Sequence, residues 1–151
     1  MNAILKTINL ADAQATQALG ARLANTLKPG DILALRGDLG AGKTTLARGF
    51  INKFMGDINV PSPTYTLLQT YNSPQFDIWH FDLYRLEDEA DIWELDIEKA
   101  LEDGVCLIEW PERIENLLSG NELCVNIRFL NQGRCVNISG NHMWKDRLND
   151  V

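Results

Sequence analysis

Gly37-Asp38-Leu39-Gly40-Ala41-Gly42-Lys43-Thr44 fits the pattern G-x-x-x-x-G-K-[ST], and its reading decides the fold. Each fixed position has a physical task. The glycines let backbone N–H groups curl around phosphate oxygens, Lys43 reaches the β- and γ-phosphates, and the Thr44 hydroxyl is left to hold Mg2+. A helix that begins at the lysine adds the positive end of its dipole to the same anion site, so the motif requires a strand before it and a helix behind it. Both are legible. Pro29-Gly30-Asp31 breaks the chain ahead of Ile32-Leu33-Ala34-Leu35, an apolar run with the length and bounds of a buried strand. From Lys43 onward Leu46, Ala47, Phe50, Ile51 and Phe54 fall on one helical face until Gly56-Asp57 stops the pattern.

Upstream of the loop, Asp12 stands as a cap before an amphipathic helix predicted over 11–27, in which Leu19, Leu23 and Leu27 recur at helical spacing. Downstream, Pro61-Ser62-Pro63 forces extended backbone and 64–71 alternates as a strand; Asn72-Ser73-Pro74 turns it into a hairpin that returns through 76–81. The acidic stretch 87–102, with Ile92, Leu95 and Ala100 among charges, reads as one solvated amphipathic helix ended by Gly104. Val105-Cys106-Leu107-Ile108 is a second wholly apolar strand, closed by Glu109-Trp110-Pro111. A short helical piece near 114–118 follows. Segments 123–129 and 135–138 then alternate around Asn131-Gln132-Gly133 as another hairpin. The expected architecture is α/β: a P-loop NTPase-like three-layer fold with a mainly parallel central sheet plus antiparallel hairpin strands, in a single domain over 1–151.

Bulk properties agree and narrow the function. A chain of 151 residues, 45% hydrophobic and 23% charged, is expected to fold as one ordinary globular unit with one site. With 14 basic against 21 acidic residues, the net charge of -7 has the wrong sign for a protein that clamps nucleic-acid phosphates itself. Cys106, Cys124 and Cys135 form no C-x-x-C pair, which points to reduced thiols in a cytoplasm rather than a disulfide framework or zinc site. Without a signal-length or span-length apolar run, neither export nor membrane insertion is expected.

A phosphate loop needs a carboxylate at a neighbouring strand end to support Mg2+, and often a group that orients the attacking water. Asp82 ends Ile78-Trp79-His80-Phe81 and Glu109 ends the second apolar strand; spacing alone does not say which touches metal. Thr64 of Ser62-Pro63-Thr64-Tyr65 lies where nucleotide switches place a hydroxyl. His80 alternates with its strand neighbours and reads as a packed or hydrogen-bonded core histidine rather than a catalytic one; Trp110 is open between packing against the site or a partner and serving as an ordinary core aromatic. Arg85 is open between steadying phosphate charge and pairing with the acidic segment. No Asn-Lys-x-Asp guanine reader occurs and Asp82-Leu83-Tyr84-Arg85 lacks the glycine of D-x-x-G, which favours adenine. No arginine cluster follows the loop helix to close as a kinase lid. ATP hydrolysis is therefore favoured, with a non-catalytic nucleotide-dependent switch and a small-molecule kinase as the alternatives.

Four segments together carry a family resemblance: Gly37 to Thr45, Ser62-Pro63-Thr64-Tyr65, His80-Phe81-Asp82-Leu83-Tyr84-Arg85-Leu86 and Ile108-Glu109-Trp110-Pro111-Glu112. In order and spacing they resemble the bacterial TsaE (YjeE) ATPases of tRNA threonylcarbamoyladenosine synthesis. The resemblance implies slow ATP hydrolysis with ATP/ADP and Mg2+ as cofactors, in a cytoplasmic protein that acts with TsaB and TsaD and meets tRNA only through them. It further implies that the loop Gly37, Asp38, Leu39, Gly40, Ala41, Gly42, Lys43, Thr44 and Thr45 binds nucleotide and that Thr44 and Glu109 hold the metal. By the same comparison Asp82 lies near the attacking water or the metal shell, Thr64 acts as the switch, and the segments around Thr7 and Arg134 approach the adenine. One departure is visible: the family usually has a glycine in the acidic helical region, where this chain reads Leu95-Asp96-Ile97.

Overall fold

Alternation along short strands sorts the side chains of this molecule into two cores on opposite faces of one sheet. The computed structural model describes residues 2–151. In chain order its regular elements are β1 (Ala3–Leu10), α1 (Ala13–Ala24), β2 (Ile32–Gly37), α2 (Lys43–Met55), β3 (Leu68–Asn72), β4 (Asp77–Asp82), α3 (Ile97–Asp103), β5 (Val105–Glu109), β6 (Leu123–Phe129), β7 (Arg134–Gly140) and α4 (Met143–Arg147). Two 3-10 segments, Glu89–Leu95 and Pro111–Leu117, complete the list. The seven strands lie in the order β1-β7-β6-β2-β5-β4-β3. The central four, β6, β2, β5 and β4, are parallel, and the pairs β1/β7, β6/β7 and β3/β4 are antiparallel. A β-strand turns successive side chains to opposite faces. Leu33, Leu35, Ile78, Val105 and Leu107 accordingly pack with Leu19 and Leu23 of α1 and Leu46, Ala47 and Phe50 of α2. Ile32, Trp79, Phe81, Cys106 and Ile108 pack on the other side with Ile92, Ile97, Ala100 and Ile114. Helices thus cover both faces, and the expected three-layer α/β fold is present.

The loop helix is held by backbone contact. A Cβ on Gly20 of α1 would stand 2.1 Å from the Leu46 carbonyl oxygen, and one on Gly49 of α2 would stand 2.0 Å from that of Gln17. Only glycines let the two axes approach so closely.

Several local expectations need correction. β1 was not expected, because Lys6, Thr7 and Asn9 interrupt any apolar pattern; it forms an edge by pairing Thr7 with Asn137 and Ile8 with Val136. The strand predicted from Thr64 begins at Leu68: Leu67 N–H donates to Pro63 O at 2.7 Å and Leu67 has φ 67°, so 64–67 form a turn. The helix predicted over 11–27 ends at Ala24, where Asn25 N–H caps onto Arg22 and Leu23 carbonyls, although Leu27 is still buried. The acidic stretch is two pieces, split at Asp96, whose φ of 57° is left-handed backbone. Glycine adopts that conformation freely, and here an aspartate takes it. The piece near 114–118 is a 3-10 segment starting at Pro111. The closing helix α4 was also unforeseen; its Trp144 is fully buried and donates from Nε1 to Asn121 O at 2.8 Å.

Candidate functional site

Because β2, β4 and β5 run parallel, their carboxyl ends meet at one edge, where ligands bind in folds of this kind. Asp82 and Glu109 are direct register partners there, and Glu109 is also paired with Leu35 of β2, two residues before the glycine loop. Phe81 and Ile108 enter the opposite core, so parity turns His80, Asp82 and Glu109 toward α2. The hydrogen bonds follow. Thr44 Oγ1 lies 3.0 and 2.9 Å from the two oxygens of Glu109 and donates to that carboxylate. His80, fully buried, places Nε2 2.7 Å from Glu109 Oε2. Thr64 Oγ1 donates to Asp82 Oδ2 at 3.0 Å, which leaves Thr64 to accept from Ser62 Oγ at 2.7 Å. Tyr84 N–H donates to Asp82 Oδ1 at 3.1 Å.

The loop above them is built for an anion. Gly40 and Gly42 have φ of 80° and 118°, and Gly42 caps α2 without any side-chain partner, so the first-turn N–H groups of α2 point outward uncapped. A Cβ on Gly37 would lie 2.7 Å from Ile127 O, so this position also excludes a side chain. Lys43 Nζ donates to Gly37 O and sits 3.7 Å from the centre of the Trp110 ring. Burial holds the Lys43 amine below its usual pKa, although Glu109, Asp82, Glu112 and Asp38 each pull it upward. Trp110 reaches that position through a left-handed φ of 59° directly after Glu109. A bulky residue in this region is strained, and such strain collects at functional sites.

Two cavities flank the loop. One, of about 240 Å³, is lined by Leu39, Lys43, Thr44, Ser62, Thr64, Asp82, Glu109 and Trp110. The other, of about 210 Å³, is lined by Ala11, Asp12, Ala13, Thr16, Ala41, Gly133 and Arg134. Gly40, Gly42 and Thr45 border both. Arg134 is tied in by Nε donating to Ala41 O at 3.0 Å, with its guanidinium 4.3 Å from the Phe129 ring centre. Thr7 lines neither cavity; it is exposed on β1 and donates to Asn137 Oδ1 at 3.0 Å. Arg85 also lies outside both, with its guanidinium 4.3 Å from the Tyr65 ring centre. Asp12 keeps its expected capping bond, to Ala15 N at 2.9 Å, and in addition walls the second cavity with Thr16. Sequence reading did not single out Ser62 by itself; His80 is the buried, hydrogen-bonded residue expected, and Trp110 takes the site-packing alternative, with its ring under Lys43. Parity could have placed His80 beside the acids, since it stands two residues before Asp82 on the same strand.

With this geometry in hand, similarity to known proteins is informative. The family described as "Threonylcarbamoyl adenosine biosynthesis protein TsaE" matches residues 10–136. The chain belongs to the TsaE family. A TsaE protein of Rickettsia felis, named for tRNA threonylcarbamoyladenosine biosynthesis, is 45% identical over 126 residues, covering 83% of this chain and 74% of that protein. The Bacillus subtilis protein of the same name is 42% identical over 123 residues, covering 82% of this chain and 75% of its own length. The crystal structure of Bacillus subtilis YdiB superposes with a TM-score of 0.77 at 28% identity, over 98% of this chain and 93% of that one. All four segments that carried the resemblance lie inside the region matched by the TsaE family.

Proposed function

We propose that this chain is a Mg2+-dependent ATPase that supports threonylcarbamoylation of the adenosine adjacent to the anticodon, in tRNAs reading codons that begin with A. It acts in the cytoplasm with TsaB and TsaD. The names of its relatives support the pathway. The chemistry rests on one observation: Lys43, Thr44, Thr64, Asp82 and Glu109 all line the same one of the two cavities beside the glycine loop.

The donor set fits magnesium. Thr44 Oγ1 and Glu109 offer hard oxygen ligands, and Mg2+ is commonly held by one or two carboxylates together with substrate phosphates. Bound there, the ion would neutralise charge developing on the β- and γ-phosphate oxygens. The remaining work belongs to the chain. Backbone N–H groups of 42–44 cradle phosphate, and Lys43 exchanges Gly37 O and the Trp110 ring for phosphate oxygens. Asp82, restrained by Thr64 and the Tyr84 N–H, orients water on the γ-phosphate side. The cavity walled by Asp12, Thr16 and Arg134 takes the ribose and adenine. With a net charge of -7, contact with tRNA runs through the partners.

The test is phosphate release from MgATP with and without TsaB and TsaD, together with a count of modified tRNA per complex. Activity is expected for the wild-type chain and absent in Lys43→Ala and Glu109→Ala. Hydrolysis that persists in either variant overturns the proposal. Undiminished multi-cycle tRNA modification by an Asp82→Asn protein that binds ATP without cleaving it would favour a switch that only binds.

A further inference from the structure

We propose that His80 is a positioning residue that holds Glu109 in the orientation required for the metal, an inference that rests on the reading of Glu109 as a magnesium ligand. His80 is fully buried in β4, and its one side-chain hydrogen bond among the described residues is from Nε2 to Glu109 Oε2 at 2.7 Å. A carboxylate oxygen accepts, so Nε2 is the nitrogen that donates. Nδ1 is buried without a partner among the described residues. A histidine kept for packing alone would be a poor choice there. A leucine or phenylalanine would fill the strand position without an unsatisfied nitrogen, as Ile78 and Phe81 do nearby.

The geometry gives the bond a purpose. Thr44 donates to both oxygens of Glu109, whereas His80 reaches only Oε2. Once the Thr44 oxygen turns to a cation, Oε2 is still held by the imidazole and Oε1 becomes the oxygen free to bind. Groups that orient metal-binding side chains in this way typically alter metal affinity by about 10–100-fold when removed.

The experiment reads metal affinity directly, by the electron paramagnetic resonance of free Mn2+ titrated into protein with a non-hydrolysable ATP analogue. Analogue affinity in EDTA and melting temperature are followed in parallel. His80→Leu is expected to weaken Mn2+ roughly 10–100-fold while leaving metal-free analogue binding unchanged. His80→Gln, whose amide N–H can stand where Nε2 stands, should restore most of the affinity. His80→Asn, which reaches only the Nδ1 position, should not. Gln and Asn differ by one methylene, so a shared folding defect does not separate them. Wild-type Mn2+ affinity in a folded His80→Leu protein, or equal affinity in the Gln and Asn variants, overturns the proposal. Glu109→Ala separates the two levels. If it loses Mn2+ binding while the His80 variants keep it, only the positioning role falls; if it too keeps Mn2+, the assignment of Glu109 to the metal falls first.

Discussion

On β4 and β5 the two faces of the sheet are built from alternate residues of the same two strands, yet they answer to different demands. Trp79, Phe81, Cys106 and Ile108 face the layer of 3-10 segments and α3, and that core is apolar throughout. His80, Asp82 and Glu109 face α2, and they are exposed by only 0%, 4% and 2%. Burying carboxylates and imidazoles is expensive unless every polar atom is paired. Here the pairing is incomplete at His80 Nδ1, and the neighbouring Lys43 is held below its usual pKa by burial. One face is thus apolar along both strands, whereas the other is apolar at Ile78, Val105 and Leu107 and turns polar only where the strands approach the glycine loop. A period of two residues is enough to keep the two faces apart within six- and five-residue strands.

The contrast can be broken most directly at Asp82 and Phe81, neighbours in sequence on opposite faces. Asp82→Asn is expected to lower kcat by roughly 10²–10⁴-fold, as loss of a proton-handling group does, with little change in melting temperature. A large loss of stability instead would mean that the polar face is structural. Phe81→Ala should do the reverse: about 3–5 kcal/mol of stability lost in denaturant titration, with near-normal ATP affinity in the fraction that stays folded. Gly49→Ala tests whether the two demands meet at the α1–α2 contact, since its Cβ would press on Gln17 O. It should cost about 1–3 kcal/mol and also weaken ATP binding, because relief of the clash moves α2 and its loop. The smallest effect is expected at Cys106. Burial raises its thiol from the usual 9.0 to about 12, so Cys106 in the folded protein should resist iodoacetamide at neutral pH, as read by mass spectrometry of its peptide. The sign of the linkage is fixed by that rise. Its contribution to stability is full below pH about 9 and declines as pH climbs toward about 12, as the unfolded chain ionises first.

Much of this was local and therefore readable in the chain. The strand, glycine loop and helix from Ile32 to Met55 follow from a motif, a breaker and an apolar period, and Asp82 and Glu109 stood out as the polar ends of apolar strands. β1 escaped because an edge strand buries little: only Leu10 of its residues is fully inside, and its polar alternation resembles a loop. α4 escaped because five residues carry too short a pattern, although Trp144 anchors it. The acidic stretch was read as one helix because composition does not reveal that Asp96 takes left-handed backbone.

By itself, the sequence determined the fold class, the glycine loop and the candidate acids, because each of these depends on residues close together in the chain. Tertiary structure decided that Glu109 lies beside Asp82, that His80 holds Glu109 rather than merely filling the core, and that Asp12 and Arg134 wall one cavity while Thr7 stays outside. The reason is strand order. β4 and β5 are brought into register by pairing across a crossover of more than twenty residues, a crossing on which local pattern is silent.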